Sequence, residues 1–187
     1  METLVKFHPI ERDDLELLRD WRNSDQVRLR CREYRLLNMD DQEHWFNSML
    51  GDSDFLMFKI EAVQIINGKR PGELQGSGSI FIGVCGWTHI DWRSRHALLS
   101  MYIGDPIHDK PEYYAAILRE LIRVGFQDIG MHCLRAEIYD FDPCREHILK
   151  AGFQENGKRR QQYYRNGKFC DILLTDLTVT EWLKTHA

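Results

Sequence analysis

Apolar residues recur at helical spacing in several stretches of the chain, with polar residues between them. A stripe with a period of about 3.6 residues is typical of a helix that packs one face against a sheet. We expect Asp40 or Asp41 to cap the second helix and Asp142 to cap the fourth, because short polar side chains accept hydrogen bonds from the first free amides. The predicted helices cover Glu11–Asn23, Asp40–Leu50, Pro111–Asp128 and Pro143–Lys150.

Extended segments occupy most of the intervals between these helices. The pairs Asn67-Gly68 and Asn166-Gly167 favour tight hairpin turns, in which both central residues adopt positive φ. The polar segment Asp91–Arg95 predicts the turn of an antiparallel pair. An α/β order without repeated βαβ units follows from this arrangement. The predicted strands cover Leu4–Phe7, Phe55–Glu61, Ala62–Ile66, Ile80–Ile90, His96–Ile103, Cys133–Tyr139 and Cys170–Leu177.

The composition is that of a globular protein: 187 residues, 43% hydrophobic and 29% charged, which predicts a single domain over 1–187. A formal net charge of −4 does not support bulk attraction to nucleic acid. No apolar stretch approaches the roughly 18 residues of a membrane span, and five cysteines without a Cys-x-x-Cys pair indicate reduced thiols. We therefore expect a cytoplasmic protein without a membrane partner. No His or Cys cluster has metal-ligand spacing, so no metal site is predicted.

Two basic clusters leave two interpretations open. One contains Arg28, Arg30, Arg32 and Arg35, and the other surrounds Tyr163 and Tyr164 near the last hairpin. Such clusters usually form a solvated surface. If both border one cleft, they would suit a phosphorylated or nucleotide-linked ligand, with a tyrosine stacked on a base.

A set of short motifs resembles the Gcn5-related N-acetyltransferase (GNAT) superfamily. The resemblance covers nearly the whole chain. Within the superfamily, the chain is similar to the branch that contains ribosomal-protein-alanine, spermidine and nucleotide-amino-sugar acetyltransferases. The motifs that carry it are Trp21-Arg22-Asn23, His44-Trp45-Phe46, Gly83-Val84-Cys85-Gly86, Ile90-Asp91-Trp92, Met101-Tyr102-Ile103-Gly104-Asp105-Pro106, Ala151-Gly152-Phe153 and the segment from Tyr163 to Lys168 followed by Asp171.

The resemblance implies a GNAT-like α/β (α+β) domain: a central mixed, mostly antiparallel sheet with a splayed parallel strand pair, and helices on both faces. It implies direct transfer of an acetyl group from acetyl-CoA, without a metal, to a primary amine of a small molecule (an amino sugar or a polyamine) or to a protein N-terminus. It also leaves a homodimer open. The implied cofactor-binding residues are Met101, Tyr102, Ile103, Lys110, Tyr113, Tyr114 and Asp142. The implied substrate-binding residues are Trp21, Arg22, Asp91 and Tyr163.

The chain departs from the family where the CoA pyrophosphate binds. Relatives place glycines there, but this chain has Asp109-Lys110-Pro111-Glu112-Tyr113-Tyr114. Pro111 lacks an amide donor, and Asp109 and Glu112 add negative charge near a dianion. The same residues are also favoured at the start of an ordinary helix. A non-catalytic GNAT-like domain that binds a ligand or a protein is therefore the alternative prediction.

The usual acid and base positions also differ. Ala97-Leu98 stands where many relatives have Ala-Glu, and Glu146-His147-Ile148-Leu149 lacks the tyrosine that often protonates the thiolate. We predict His89 as the replacement base, directly or through water, and Tyr139 as the replacement acid. The alternatives are a turn histidine and a strand-end aromatic residue that only packs, and Asp91 can serve merely to fix its turn.

Overall fold

Seven strands form one sheet in the described part of the chain, residues 3–63 and 78–186 of a computed structural model. Their order is β1-β2-β3-β4-β5-β7-β6, and every pair is antiparallel except β4 with β5. The mixed, mostly antiparallel sheet that was predicted is therefore confirmed. The strands are β1 Leu4–His8, β2 Leu56–Val63, β3 Ser79–Asp91, β4 His96–Ile103, β5 Cys133–Tyr139, β6 Gln154–Arg165 and β7 Lys168–Thr178.

The described residues contain six α-helices, five between strands and one after the last strand. A 3-10 turn precedes the first, and a π-helical turn at Val124–Asp128 extends the fourth, so the predicted helix 111–128 is continuous. The helices are α1 Leu15–Asn23, α2 Asp25–Arg28, α3 Met39–Leu50, α4 Pro111–Arg123, α5 Cys144–Lys150 and α6 Val179–His186.

The helices cover both faces of the sheet. On one face, α4 buries Ile117, Leu118 and Leu121 completely against strand residues such as Trp87 and Leu134. On the other face, α1 and α3 pack a smaller apolar cluster that contains Leu15, Leu18, Phe46 and Val84. At roughly 1.5–3 kcal/mol for each large side chain buried, the α4 face supplies the larger share of the hydrophobic stabilisation.

A β-bulge in β3 explains how one strand serves both faces. Ile60 pairs with Gly83 and Glu61 with Phe81, so Ile82 is the extra residue. The extra residue shifts the alternation by one, and both Ile82 and Cys85 therefore join the α4-side core. The carbonyl of Ile82 accepts the N–H groups of Gly104 (2.8 Å) and Asp105 (3.1 Å), which holds the end of β4 in place.

Some local predictions were wrong. β2 is one strand, whereas two strands, 55–61 and 62–66, were expected. The cap of α3 is Asn38, whose Oδ1 accepts the N–H of Asp41 at 2.8 Å, while Asp41 Oδ2 accepts the N–H of Asn38 at 3.0 Å. Asp41 is thus the reciprocal partner in a capping box. The predicted Asn67-Gly68 hairpin lies outside the described residues.

The predicted turn at Asn166-Gly167 is confirmed, whereas the cap predicted for the fourth helix is displaced. Asn166 and Gly167 have φ of 49° and 78°, as the hairpin between β6 and β7 requires. The predicted Asp142 cap is wrong by one residue, because α5 begins at Cys144 and its N-cap is Pro143. The Oδ1 of Asp142 nevertheless accepts the N–H of Cys144 at 2.9 Å.

Candidate active site

The parallel strands β4 and β5 pair at one end and separate at the other. Pairing is confined to three residues of each strand, His96–Leu98 with Cys133–Arg135. Beyond that point β4 remains paired with β3 and β5 with β7. The edges of 99–103 and 136–139 that face each other therefore have no strand partner within the described residues, and the predicted splayed pair is confirmed.

A cavity of about 320 Å³ lies at this separation. Both strands line it, together with the N-terminal part of α4, the start of α5, and residues of α1, α3 and the connection between them. Tyr114, Cys144 and Ile148 line it beside α4 and α5. Trp45 and His89 line it beside α3 and the end of β3.

Arg165 joins three separate segments beside the cavity. Its side chain is buried, and its guanidinium donates to the carbonyls of Cys31 and Arg32 (both 3.0 Å) and to the hydroxyl of Tyr139 (2.9 Å). Cys31 and Arg32 belong to residues 28–35, which we call the arginine segment. Because charge-assisted hydrogen bonds are stronger than neutral ones, Arg165 fixes this segment against the end of β5.

Tyrosine rings surround the same guanidinium. Its central carbon lies 4.7 Å from the ring centroid of Tyr34, 5.4 Å from that of Tyr139 and 5.3 Å from that of Tyr163. A delocalised cation stacks well on aromatic faces. The Arg165 cluster therefore also sets the positions of two tyrosines that line the cavity.

The hydroxyl of Tyr139 lies within this cluster. Besides accepting from Arg165, it donates to the carbonyl of Cys31 at 3.4 Å. Burial raises the pKa of Tyr139 to about 12, and the nearby Arg165 opposes that rise. The phenol is therefore protonated throughout the neutral range and can act as an acid, and the catalytic assignment of Tyr139 stays a prediction.

His89 also lines the cavity, at the irregular end of β3. Its backbone has a φ of 51°, its Nδ1 lies 3.1 Å from the Oγ1 of Thr88, and its ring lies 6.1 Å from that of Phe55. The side chain is exposed. An exposed imidazole can exchange protons with water, and the role of His89 as a base stays a prediction.

The carboxylate of Asp109, which lies just before α4, has hydrogen-bond and charge partners of its own. The carboxylate of Asp109 accepts the hydroxyl of Tyr114 at 2.7 Å and the side-chain amide of Gln26 at 2.8 Å, and Arg30 lies 3.9 Å away. Tyr114 in turn stacks on His147, with ring centroids 4.8 Å apart. Burial and the bond to Asp109 raise the pKa of Tyr114. Tyr114, Gln26 and Arg30 therefore partly offset the negative charge of Asp109.

The predicted cofactor-binding residues fall into two groups. Met101, Tyr102 and Ile103 line the cavity along the open part of β4, and Tyr114 and Asp142 line it near α4 and α5. Burial raises the pKa of the Asp142 carboxyl and of the Tyr102 phenol.

The other two, Lys110 and Tyr113, lie outside this lining at the start of α4. Lys110 is the N-cap residue, and the ring of Tyr113 contacts that of His108 edge-on at 5.0 Å.

The predicted substrate-binding residues also divide. Arg22 and Tyr163 line the cavity. Trp21 instead packs against Gly104, where an added Cβ would meet the indole ring, and edge-on against Phe81 at 4.9 Å. Asp91 lies in the β3–β4 turn, where its Oδ1 accepts the N–H of Ser94 at 2.7 Å and so lowers its own pKa. These contacts match the alternative interpretation of Asp91 as a residue that fixes the turn.

Several cavity residues were not singled out from the sequence. Cys31, Trp45, Glu137 and Cys144 line the cavity, and Arg165 holds its wall. Two of them carried a signal: Arg165 as a member of the basic cluster around Tyr163 and Tyr164, and Trp45 within the motif His44-Trp45-Phe46. The others are brought together by the order of strands in the sheet, which local patterns do not contain.

The described residues contain neither a metal-binding cluster nor a helix that could span a membrane. Residues 3–63 and 78–186 contain no group of three or more His, Cys, Asp or Glu side chains arranged to hold a metal ion. No helix in these ranges has the length and apolar character needed to cross a bilayer.

Comparison with known proteins decides the family. Residues 5–154 match the model of the acetyltransferase (GNAT) domain. The chain belongs to the GNAT acetyltransferase family. It is accordingly an acyltransferase, as predicted. No curated protein sequence matches this chain significantly.

Solved structures of GNAT enzymes have the same fold at low sequence identity. A spermidine N-acetyltransferase from Vibrio cholerae, in complex with CoA and spermine, superposes with a TM-score of 0.81 at 18% identity, covering 96% of this chain and 98% of that one. A dodecameric structure of spermidine N-acetyltransferase from Vibrio cholerae gives 0.76 at 16% identity, covering 100% and 99%. A Vibrio cholerae spermidine/spermine N-acetyltransferase with manganese ions gives 0.75 at 17%, covering 98% of each chain.

Proposed function

We propose that this GNAT acyltransferase moves an acetyl group from acetyl-CoA to a primary amine by direct attack. The amine belongs to a small molecule, an amino sugar or a polyamine, or to a protein N-terminus. The observation that carries the proposal is the separation of β4 from β5 beyond Leu98 and Arg135, with a cavity at the opening. The CoA complex of the Vibrio cholerae enzyme, which has the same fold, supports it.

The open strand edges fit the pantetheine arm of CoA. Backbone N–H and C=O groups on Met101–Ile103 and Ala136–Tyr139 face a gap that no other described strand fills, and buried backbone groups of this kind need partners. The pantetheine arm contains two amides that can supply them. In this placement Tyr114 and Asp142 contact the arm, whereas Lys110 and Tyr113 lie toward the phosphates at the start of α4.

The start of α4 can still receive a pyrophosphate. Pro111 has no amide hydrogen, and the N–H groups of Tyr113 and Tyr114 donate to the carbonyl of Lys110. The N–H of Glu112 and the positive end of the helix dipole are what favour an anion here. Asp109 is held by Tyr114, Gln26 and Arg30, which reduces its repulsion of a phosphate.

The residues then divide the chemistry among them. His89, exposed at the cavity end, removes a proton from the incoming ammonium, directly or through water. Backbone N–H groups around Met101–Ile103 stabilise the negative charge that develops on the carbonyl oxygen. Tyr139, whose phenol is protonated at neutral pH, donates its proton to the departing thiolate. Arg22 and Tyr163 contact the amine-bearing molecule.

The test is thiol release from acetyl-CoA in the presence of an amine. The substitution His89→Gln should lower kcat by roughly 10²-fold or more, since a positioned base contributes about that much. His44→Gln, an exposed histidine of α3 outside the cavity lining, is the matched control and should leave kcat unchanged. Equal kcat values for the two variants would exclude His89 as the base.

Tyr139→Phe tests the acid separately. It should lower kcat and remove the fall in rate at high pH that deprotonation of a phenol produces. A fall in stability with an unchanged pH profile would instead assign Tyr139 a purely packing role. A homodimer and a cytoplasmic location also remain part of the proposal; light scattering of the purified protein tests the first.

A further inference from the structure

Six charged side chains line the cavity, and its carboxylates already have partners. The Glu33 carboxylate pairs with Arg35 at 2.8 Å, an interaction that lowers its pKa to about 2. Glu137 pairs with Arg159 at 3.0 Å. Asp142 accepts the backbone N–H of Cys144. An ammonium group that entered the cavity would therefore compete with existing donors for every one of these carboxylates. The six are Arg22, Arg30, Arg32, Glu33, Glu137 and Asp142.

The arginines are less fully paired. Arg22 makes one long hydrogen bond, from a terminal nitrogen to the carbonyl of Glu33 at 3.4 Å, and its buried Nε has no partner. The Arg32 side chain is exposed and makes no ion pair with any described residue. Among the described residues, Arg30 forms an ion pair with Asp109 at 3.9 Å on the α4 side, and the charge of Arg22 acts more weakly on Glu33, whose pKa it helps to lower. Asp142 is the one lining carboxylate without a cationic partner among the described residues, so two arginines, Arg22 and Arg32, stand against one carboxylate and the uncompensated charge of the cavity is positive.

The position of Arg22 is fixed by its two neighbours in the chain. Trp21 packs against Gly104 at the end of β4. Asn23 accepts the N–H of Leu37 at 2.7 Å and donates to its carbonyl at 2.8 Å, which ties α1 to the connection before α3. A guanidinium held in this way loses little freedom when it binds a planar or tetrahedral oxyanion bidentately.

We propose that the amine acceptor carries an oxyanion, a phosphate or a carboxylate, which Arg22 binds, with Arg32 at the rim of the cavity. This inference rests on the proposed acetyl transfer and narrows it: a polyamine, which carries only positive charge, is the disfavoured acceptor. A polycation would meet Arg22 at close range, and among the lining residues described above it would find Asp142 alone without a cationic partner.

The first test compares acceptors that differ by one charged group. Glucosamine and glucosamine 6-phosphate share the same amine, and spermidine represents the polycations. We expect kcat/KM for the phosphorylated sugar to exceed that of glucosamine by about tenfold or more, the size of one charge-assisted hydrogen bond. Arg22→Gln should abolish the ratio and Arg22→Lys should restore part of it. Arg93→Gln, in the exposed β3–β4 turn, is the matched control and should leave the ratio unchanged.

The second test measures anion binding without turnover. Inorganic phosphate and acetate are titrated separately by calorimetry into protein already saturated with CoA, which distinguishes the two oxyanions. Binding that persists beside CoA and is lost in Arg22→Gln supports the inference. Displacement of the anion by CoA would assign Arg22 to the cofactor phosphates and overturn it.

The two proposals fail in different ways. Transfer to spermidine or glucosamine at equal or higher kcat/KM than to glucosamine 6-phosphate overturns the anionic acceptor but leaves acetyl transfer intact. Absence of CoA binding overturns acetyl transfer itself. If CoA binds but none of the three amines reacts, the anion titration decides: binding lost in Arg22→Gln supports the inference, and no binding overturns it.

Discussion

The two ends of the β4–β5 pair are built differently. At the paired end, Ala97 and Leu134 are completely buried under α4, and hydrophobic burial stabilises the contact. At the open end, the strands lie apart and Arg165 holds the neighbouring wall through hydrogen bonds and ring contacts. The same two strands thus stabilise the fold at one end and leave backbone groups for a ligand at the other. Changes at the first end should affect stability, and changes at the second should affect binding.

The largest effect is expected from Leu134→Ala at the paired end. Removing a fully buried leucine should lower the free energy of unfolding by roughly 2–5 kcal/mol, through lost burial and a residual cavity. Urea unfolding measures this, and calorimetry should find the CoA affinity of the folded protein unchanged. Leu50→Ala, at an exposed leucine of α3, is the control and should change the stability by less than about 0.5 kcal/mol. A weakened CoA affinity in Leu134→Ala would remove the distinction between the two ends.

A smaller loss of stability is expected from Arg165→Ala at the open end. The change removes the donors to Cys31, Arg32 and Tyr139, at a net cost of about 2 kcal/mol, and frees the arginine segment. The KM for the amine should therefore rise more than the KM for acetyl-CoA. Arg160→Ala, an exposed arginine of β6, should leave both constants unchanged. If Arg165→Ala altered only the stability, the cluster would have no part in acceptor binding.

The smallest effect concerns Glu33 at the rim of the open end. Its partner Arg35 lowers the pKa of the carboxyl from 4.5 to about 2 in the folded protein. A depressed folded-state pKa adds stability above the unfolded-state pKa, and this stability is lost as the pH falls from about 4.5 toward 2. Wild type should therefore be slightly more stable than Glu33→Gln at neutral pH, with the difference vanishing in acid. The pair is exposed, so the difference is small; urea midpoints at several pH values measure it.

The regular elements of the fold could be predicted where burial imposes a pattern. The α4 stripe and the alternation in β5 face one core, and both were predicted nearly to their ends. By contrast, β6 is exposed along almost its whole length, so no apolar alternation marks it, and only its last residues were predicted. The single-turn helix α2 and the final helix α6 were also missed; α2 is too short to carry a periodic signal.

The site could be predicted only in part. The resemblance identified the splayed strands and several lining residues, because those lie within sequence motifs. The Arg165 cluster joins residues more than 130 positions apart, Cys31 and Arg165 among them, and no local pattern records such a contact. The pairing of each carboxylate in the cavity, on which its net charge depends, is likewise a property of the folded chain.

Hydrogen exchange in the presence of CoA tests the central claim most directly. Amide exchange is followed by NMR in the free protein and with saturating CoA. The account predicts slower exchange for the gap-facing amides of Met101–Ile103 and Ala136–Tyr139, and no change at His96–Leu98, where the strands already pair. Protection that spares these strand amides, or no binding at millimolar CoA, would contradict the placement of the cofactor between β4 and β5.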